Sequence, residues 1–302
     1  MYDLIVIGAG PAGLTAGIYG TRAGLKTLII EGEGTYGGQI LTTYDVDNYP
    51  GLPGIGGFEL GTKFKEHAEN AGAEFKDAMV VKILDKGDHK TVVTSAEEID
   101  ARTVIVATGA AHNHLGVSGE EEMAGAGVSY CATCDGAFFR NRTTVVVGGG
   151  DVALEDALFL ARACKKVYLV HRRDAFRGAK KLQDAVLASE NIEPVYDSVV
   201  TEIKGDGMVT GVTLKNVKTG EESPLETDGV FIAVGTHPIT EFAAGLLDMD
   251  EKGYIKADET GVTNVAGIFV AGDARTKKMR QVVTAASDGA NAVNSATDYL
   301  NG

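Results

Sequence analysis

Two cysteines separated by two residues carry the most reactive chemistry in this sequence. Cys131 and Cys134 enclose Ala132 and Thr133, and Asp135 follows directly. Cysteines at this spacing can close a small disulfide ring, and after reduction one thiolate can be stabilised by its neighbour. A carboxyl group at the next position is suited to donate or accept a proton when the disulfide opens. The segment therefore predicts a redox-active pair with an acid–base residue beside it.

A zinc site is the alternative for the same cysteines. A structural zinc ion takes four ligands, and the sequence contains no second C-x-x-C segment. His112 and His114 lie upstream and are the candidates to complete such a site, although their segment equally suits plain solvent exposure. The third cysteine, Cys164, lies in a predicted helix and is interpreted as a buried small apolar residue. The redox pair is favoured, and no metal site is predicted.

A glycine-rich turn near the N-terminus predicts a dinucleotide site. The apolar run 4–7 leads into the motif GAGPAG at 8–13, a helical stretch follows over 12–23, and the next apolar run, 27–30, ends at Glu31. Glycines let the backbone approach a pyrophosphate, and the following helix presents free amide groups. Glu31 suits a free ribose and would repel a 2′-phosphate, which favours FAD or NAD(H). A glycine turn without a ligand is the alternative, disfavoured by the matched acid.

The same plan occurs a second time along the chain. The apolar run 144–147 leads into GGGDVA at 148–153, a helical stretch follows over 153–163, and a strand is predicted at 166–170. His171 then occupies the position that corresponds to the acid of the first copy. The repetition predicts a second dinucleotide-binding unit.

The second copy exchanges the acid for a basic cluster. His171 is followed by Arg172 and Arg173, and Arg177 lies a little further along. Guanidinium groups bind phosphate through two parallel hydrogen bonds, so the cluster favours NADPH over NADH. A solvated run of charge before a helix is the alternative interpretation.

The order of these motifs predicts the domain organisation. A further segment, which contains 267–273, follows the second copy and is too short to form a domain of its own, so we expect it to complete the first. The fold class is therefore α/β, with two Rossmann-like nucleotide-binding domains, the second inserted in the first. The predicted ranges are an FAD-binding domain in two parts, 1–113 and 244–302, and an NADPH-binding domain that carries the cysteine pair, 114–243.

Composition limits the kinds of partner. The formal net charge is −14 and the isoelectric point is about 4.9, which disfavours nucleic acid or anionic lipid as the main partner. No apolar run approaches the ~20 residues that cross a bilayer, and the first residues lead straight into a strand without the pattern of a signal peptide. We expect a cytoplasmic protein that binds neither nucleic acid nor membrane.

Taken together, these motifs resemble the low-molecular-weight thioredoxin reductases of bacteria, within the class II pyridine nucleotide-disulphide oxidoreductases. The resemblance covers essentially the whole chain. It is carried by 8–13, Gly37-Gly38-Gln39, Asn48-Tyr49-Pro50-Gly51, Ala107-Thr108-Gly109, Cys131 to Asp135, 148–153, His171-Arg172-Arg173-Asp174 with Phe176-Arg177, Ala271-Gly272-Asp273, and Arg280-Gln281.

The resemblance implies FAD and NADPH as cofactors, thioredoxin as partner and a homodimer. The expected catalytic residues are Cys131, Cys134 and Asp135. The expected FAD-binding residues are Gly8, Gly10, Pro11, Ala12, Gly13, Glu31, Gly38, Gln39, Asn48, Thr108, Gly109, Gly272, Asp273, Arg280 and Gln281. The expected NADPH-binding residues are Gly148, Gly150, Asp151, Val152, His171, Arg172, Arg173 and Arg177.

The resemblance also implies the order of electron transfer. Hydride passes from NADPH to FAD, the disulfide is reduced next, and dithiol exchange then reduces oxidised thioredoxin. Cys134 matches the cysteine nearest the flavin, Cys131 the one that attacks the partner disulfide, and Asp135 the proposed acid–base residue. Because the nicotinamide site and the cysteines share one domain, we expect the inserted domain to rotate about its two crossings during turnover.

Two positions depart from the family pattern and keep alternatives open. Val152 stands where many members carry a hydroxyl residue, and Ile239 stands where asparagine is common. A related flavin disulfide reductase with a different donor, ferredoxin or NADH, or with a different dithiol partner, is the nearest alternative function. A non-catalytic nucleotide sensor or metal-binding scaffold is the alternative from another class.

Overall fold

The computed structural model describes residues 1–32, 34–43 and 46–302. The chain forms two compact units, of which the first consists of Met1–Ala111 and His237–Gly302 and the second of His112–Thr236. Both units are Rossmann-like and the second is inserted in the first, so the predicted fold class is confirmed.

The described residues form seventeen strands, six α-helices and four short 3₁₀ helices. The strands are β1 (Tyr2–Ile7), β2 (Thr27–Glu31), β3 (Glu74–Asp77), β4 (Val80–Asp85), β5 (Lys90–Thr94), β6 (Glu98–Val106), β7 (Ala110–His112), β8 (Val128–Ser129), β9 (Thr143–Val147), β10 (Lys166–Val170), β11 (Ile192–Val195), β12 (Ser198–Gly205), β13 (Val209–Asn216), β14 (Glu222–Glu226), β15 (Gly229–Ile232), β16 (Thr236–Pro238) and β17 (Ile268–Val270). The α-helices are α1 (Pro11–Arg22), α2 (Gly57–Ala71), α3 (Ala132–Asp135), α4 (Asp151–Ala161), α5 (Lys180–Leu187) and α6 (Val282–Asn301). Short 3₁₀ helices cover Gly38–Thr42, Gly136–Phe139, Glu241–Ala243 and Gly272–Ala274.

The first unit is built on one sheet of seven strands. Its order is β3-β2-β1-β6-β5-β4, and β17 pairs with β6. Strands β1, β2, β3, β6 and β17 are parallel, whereas β4, β5 and β6 form an antiparallel meander. Helices α1 and α6 pack on one face of the sheet, and a second apolar core covers the opposite face. Because both faces are covered, β1 and β2 are continuous apolar runs in the sequence.

The second unit repeats this plan on a smaller scale. Its parallel sheet has the order β11-β10-β9-β15-β8, and strands β12, β13 and β14 form a separate antiparallel sheet. Helix α4 packs on one face of the parallel sheet, and the antiparallel sheet covers the other. Each parallel sheet thus carries a glycine turn at the carboxyl end of one parallel strand, β1 in the first unit and β9 in the second, the usual place for a dinucleotide.

The unit boundaries differ from the ranges that the sequence suggested. They fall between Ala111 and His112 and between Thr236 and His237, where β7 and β16 pair in a two-stranded sheet. The second boundary precedes the predicted one because the segment that follows β16 is part of the first unit's core. In that core the side chain of Ala243 is fully buried.

Among the helices of the described ranges, none combines the length and apolar character that a bilayer crossing requires.

Candidate active site and dinucleotide sites

The two cysteines of the predicted pair are joined to each other. Cys131 and Cys134 form a disulfide in the second unit. Cys131 lies in extended conformation immediately before α3, and the backbone amides of Cys134 and Asp135 donate to its carbonyl at 3.2 and 3.1 Å. This tight turn brings the two sulfur atoms together, so local backbone conformation alone preorganises the ring.

Asp135 lies beside the disulfide in a mainly apolar setting. Its Oδ2 accepts a hydrogen bond of 2.6 Å from the Ser129 hydroxyl, while its Oδ1 is buried and has no partner among the described residues. Burial raises the pKa of this carboxyl above its ordinary value, and the hydrogen bond from Ser129 partly opposes that shift. A carboxyl group tuned in this way is suited to exchange a proton with a sulfur atom.

Cys164 takes no part in the disulfide and is buried, as the sequence predicted. The residue is free and only 5% exposed, and it packs in the apolar core beneath α4. Burial raises the pKa of its thiol, which disfavours the reactive thiolate.

The two upstream histidines belong to a different cluster. The His112 ring stacks on Tyr130 with centroids 5.0 Å apart, and His114 Nδ1 lies 2.9 Å from the Tyr130 hydroxyl. The same hydroxyl donates to Glu120 at 2.8 Å. In the ranges that the structure covers, no three His, Cys, Asp or Glu side chains converge as a group that would hold a metal ion. The sulfur atoms are bonded to each other, so the zinc interpretation has no support.

The first glycine turn adopts the geometry of a dinucleotide site. The turn between β1 and α1 runs so close to neighbouring backbone that a Cβ at Gly13 would collide with the carbonyl of Gly8. Gly10 is the residue that precedes α1, and Pro11 occupies the first helical position. Small residues therefore bring the chain close to the helix amides, where a pyrophosphate would be bound.

Glu31 is held at the edge of this turn. Its Oε2 accepts from the backbone amide of Ala9 and its Oε1 from that of Gly32, each at 2.8 Å. The turn and the end of β2 are thereby tied together. A carboxylate in this place can receive the hydroxyl groups of a ribose.

Further residues expected at an FAD site are brought together in the first unit. Gly38 packs on Gly10, with the position of a Cβ on Gly38 only 3.1 Å from the Gly10 Cα. The Gln39 amide donates to the carbonyl of Ala110.

Asn48 donates to the side chain of Gln281 at 2.8 Å, and Gln281 in turn forms a capping box at the start of α6. Thr108 donates to the Ile239 carbonyl at 2.6 Å, and the Gly109 carbonyl accepts from the Ile239 amide at 3.1 Å.

Three buried side-chain atoms of the first unit have no hydrogen-bond partner among the described residues: Thr15 Oγ1, Asp273 Oδ1 and Arg280 Nε, of which the last two belong to residues expected at the FAD site. Burial raises the pKa of the Asp273 carboxyl, and Lys277, whose Nζ lies 4.0 Å from Oδ1, opposes that shift. The Arg280 guanidinium lies over the Tyr254 ring, 4.3 Å from its centroid. A buried polar atom without a hydrogen bond is costly, so the atoms of Asp273 and Arg280 fit a cofactor with its own hydroxyl and carbonyl groups.

A chain of buried charges supports this corner and was missed at the level of sequence. Asp288 accepts a bidentate pair from Arg275 at 2.8 and 2.7 Å and a further hydrogen bond from Lys277 at 2.9 Å. Its Oδ2 also accepts from the Gly272 amide at 3.0 Å. The available signal was an aspartate among the mostly small residues that surround position 288 in the sequence.

The second glycine turn repeats the close approach with a different neighbour. A Cβ at Gly148 would lie 2.5 Å from the Ala233 carbonyl oxygen, and Gly150 precedes α4. Asp151 Oδ1 accepts from the Ala179 amide at 2.6 Å, which ties the start of α4 to the loop that follows β10. Val152 is 58% exposed in the first turn of α4.

The basic cluster after β10 divides into one buried residue and three exposed ones. His171 is only 4% exposed, and its ring occupies the space beside Gly149 that a side chain at that glycine would need. Burial lowers the pKa of His171, and Arg177 lowers it further. Arg172, Arg173 and Arg177 are exposed, and none forms an ion pair with another described residue. Arginines are therefore the groups that present positive charge here.

Comparison with known proteins agrees with this arrangement. Residues 2–289 match the family described as Pyridine nucleotide-disulphide oxidoreductase. The chain is 48% identical over 301 residues to the thioredoxin reductase of Listeria monocytogenes, covering 99% of this chain and 94% of the relative. It is 46% identical over 301 residues to that of Bacillus subtilis, with 99% and 95% covered. The solved thioredoxin reductase of Streptococcus pyogenes superposes with a TM-score of 0.96 at 46% identity, covering 100% of this chain and 98% of that one.

Two Rossmann-like units, one of which carries a closed cysteine pair, define an oxidoreductase of the disulfide-reducing class. The chain belongs to the pyridine nucleotide-disulphide oxidoreductase family, whose members work with flavin and nicotinamide cofactors. The family membership predicted from the sequence motifs is confirmed.

Proposed function

We propose that this chain is an FAD- and NADPH-dependent reductase of thioredoxin that works as a cytoplasmic homodimer. The observation that carries the proposal is the closed disulfide between Cys131 and Cys134, which has a buried carboxyl beside it and lies in a unit with its own dinucleotide turn. The activity follows from relatives named thioredoxin reductase that match almost the whole chain. The dimer and the location rest on the resemblance to the bacterial thioredoxin reductases.

The first unit supplies an FAD site in this proposal. Bound FAD supplies the two-electron chemistry that connects a reduced nicotinamide with a disulfide. Glu31 orients a ribose, and the amides at the start of α1 face the pyrophosphate. The unpaired Asp273 oxygen and Arg280 nitrogen complete the polar contacts.

The second unit supplies an NADPH site. The α4 amides face the pyrophosphate, and the exposed Arg172, Arg173 and Arg177 bind the 2′-phosphate through charge-assisted hydrogen bonds. NADH remains the alternative donor because the exposed Val152 offers no hydroxyl to a phosphate. We also propose that this unit moves about its two crossings, since it carries both the nicotinamide motif and the cysteines.

Exchange with the partner completes the reaction. The Cys131 thiolate attacks one sulfur atom of an oxidised thioredoxin, forms a mixed disulfide and releases the other sulfur as a thiolate. Cys134 then attacks Cys131, which closes the enzyme disulfide and releases the second partner sulfur. Asp135 takes a proton from an enzyme thiol and returns it to a departing sulfur, so it ends the cycle in its initial state.

Anaerobic titration of the purified holoprotein tests the proposal. We expect NADPH to bleach the flavin absorbance at lower concentration than NADH and oxidised thioredoxin to restore it. In a Cys134→Ser variant, NADPH should still bleach the flavin, but the variant should not reduce thioredoxin. In a Cys164→Ser variant, NADPH should bleach the flavin and the variant should reduce thioredoxin. Flavin that bleaches with neither nucleotide would show that another donor is used, and thioredoxin reduction by Cys134→Ser would exclude the disulfide route.

A further inference from the structure

Ser129 links the two groups that take part in sulfur chemistry. Its hydroxyl donates to Asp135 Oδ2 at 2.6 Å and accepts from the backbone amide of Cys131 at 3.0 Å. A serine hydroxyl has one hydrogen, and two acceptors lie within reach, Asp135 Oδ2 at 2.6 Å and the Cys131 carbonyl at 3.3 Å. The much shorter contact assigns the hydrogen to Asp135. The residue is 5% exposed and ends β8, where Ser129 is in register with Phe231 of β15. Its position is therefore set by the sheet and not by the disulfide.

The consequence for Asp135 is that its two oxygens differ. Oδ2 is engaged by Ser129, whereas Oδ1 is buried without a partner among the described residues. A protonated carboxyl group oriented in this way carries its proton most readily on the oxygen that receives no hydrogen bond. From this geometry we propose that Ser129 is a positioning residue for dithiol exchange, which holds Asp135 so that Oδ1 alone moves the proton, and which ties that carboxyl to the backbone of Cys131.

Electrostatics around Asp135 agree with this role. Burial raises the pKa of Asp135, and the Ser129 hydrogen bond is the one interaction that lowers it. Helix α4, which packs against α3, carries the acids Asp151, Glu155 and Asp156, and none of them contributes to the shift. Strands β8 and β15 carry no titratable side chain. The serine hydroxyl is thus the group through which the chain adjusts this carboxyl.

The role extends the proposed function, since it assumes that Asp135 exchanges protons with sulfur. Removal of the hydroxyl takes a donor from the ionised carboxylate, so the pKa of Asp135 rises further and the limb of the pH–rate profile that reports it moves to higher pH. The shift expected from one lost hydrogen bond to a charged group is about one pH unit. A threonine at 129 keeps the hydroxyl and should preserve the wild-type profile.

The test compares matched variants of the holoenzyme. Ser129→Val and Ser129→Thr have similar shape and differ in the hydroxyl, and Ser129→Ala is the smaller alternative if valine impairs folding. Ser189→Ala is the control, because Ser189 is a serine of the same unit whose hydroxyl donates only to Asn191. Rates of oxidation of the reduced enzyme by thioredoxin are measured from pH 5 to 9, and circular dichroism verifies folding.

Two results would support the proposal. The profile of Ser129→Val should move upward by about one unit while those of Ser129→Thr and Ser189→Ala coincide with wild type. In an Asp135→Asn background, Ser129→Val should have no further effect, since the residue acts through that carboxyl. The proposal would be overturned if the pH–rate profiles of Ser129→Val and Ser129→Thr coincided. It would also be overturned if Ser129→Val lowered the rate equally in the wild-type and Asp135→Asn backgrounds.

Infrared difference spectroscopy separates this proposal from the proposed function. Reduction of the disulfide by a phosphine, without nucleotide or thioredoxin, should change the carboxyl band of Asp135 at a higher pH in Ser129→Val than in wild type. That shift would persist even if the wild-type enzyme failed to reduce thioredoxin. Its absence in an active enzyme would reject the role of Ser129 alone.

Discussion

The carboxylate of Glu31 accepts a hydrogen bond of 2.8 Å from the backbone amide of Ala9, which joins the end of β2 to the glycine turn after β1. The contact places an acid beside the turn where the resemblance implies the adenosine ribose of FAD. Through this hydrogen bond Glu31, at the end of the second strand, helps to fix the conformation of the first glycine motif.

Replacement of Glu31 by alanine should weaken FAD binding by about tenfold or more, the loss expected for hydrogen bonds to a charged group. The measurement is a fluorescence titration of the flavin-free protein with FAD. Glu59→Ala is the matched control, because Glu59 is an exposed acid of α2 whose ion pair is made with Lys63. If Glu31→Ala and Glu59→Ala bound FAD with equal affinity, Glu31 would not be part of the proposed FAD site.

The buried ion pairs of Asp288 with Arg275 and Lys277 should contribute strongly to the stability of the first unit. Burial raises the pKa of Asp288, but hydrogen bonds from Arg275 and Lys277 lower it by more, so the net pKa lies below the ordinary 3.8. Asp288→Asn leaves the buried Arg275 without its carboxylate and leaves Lys277 with only the more distant Asp273, so it should lower the free energy of unfolding by about 3–5 kcal/mol at pH 7.

The pH dependence of that loss has a definite sign. A carboxyl group whose pKa is lower in the folded state stabilises the protein above its unfolded pKa, and the contribution disappears as the pH falls through the folded value. Urea unfolding should therefore show a wide gap between wild type and Asp288→Asn at pH 7 that narrows below pH ~4. Asp298→Asn, an exposed acid of the same helix, should have little effect at any pH. A gap independent of pH would contradict the ionic explanation.

Arg172 should determine the preference between nucleotides. Arg172→Leu removes a charge-assisted contact to a 2′-phosphate and should raise the KM for NADPH by roughly 10–100-fold, with the KM for NADH unchanged. Steady-state kinetics with both nucleotides measure the ratio. Arg162→Leu, an exposed arginine at the opposite end of α4, should leave the ratio as it is in wild type.

His171 should behave differently from the arginines that follow it. Its ring is buried against Gly149 and its pKa is lowered by burial, so it supports the turn as a neutral side chain. His171→Phe should alter kcat/KM for NADPH and NADH by the same factor, because the turn serves both pyrophosphates. A selective effect on NADPH would instead assign His171 to the 2′-phosphate.

Thiol counts should distinguish the three cysteines. In the folded oxidised protein the pair is closed and Cys164 is buried, so a thiol reagent should find no rapidly reacting group. Unfolding without reductant should reveal one thiol, and reduction of the folded protein should expose the pair. A fast-reacting thiol in the folded oxidised protein would contradict the burial of Cys164.

Much of the architecture was accessible from local patterns. The predicted strand at 166–170 coincides with β10, and the helix predicted over 12–23 differs from α1 by a single residue at each end. Such agreement arises because buried parallel strands and glycine turns are recorded in contiguous residues. The compact units divide before 237, whereas the sequence suggested a domain boundary after 243, because the membership of 237–243 depends on which core Ala243 enters, which is a long-range contact.

Sequence alone determined the family, the α/β class with an inserted unit, the reactive cysteine pair and the acidic and basic residues at the two strand ends. These properties depend on residue type and short spacing, which a linear chain records directly. Only the tertiary structure decided that His171 is buried while three arginines are exposed, that Asp288 neutralises Arg275 and Lys277, and that Ser129 bonds Asp135. Burial and pairing depend on residues brought together by folding, and no local pattern encodes those distances.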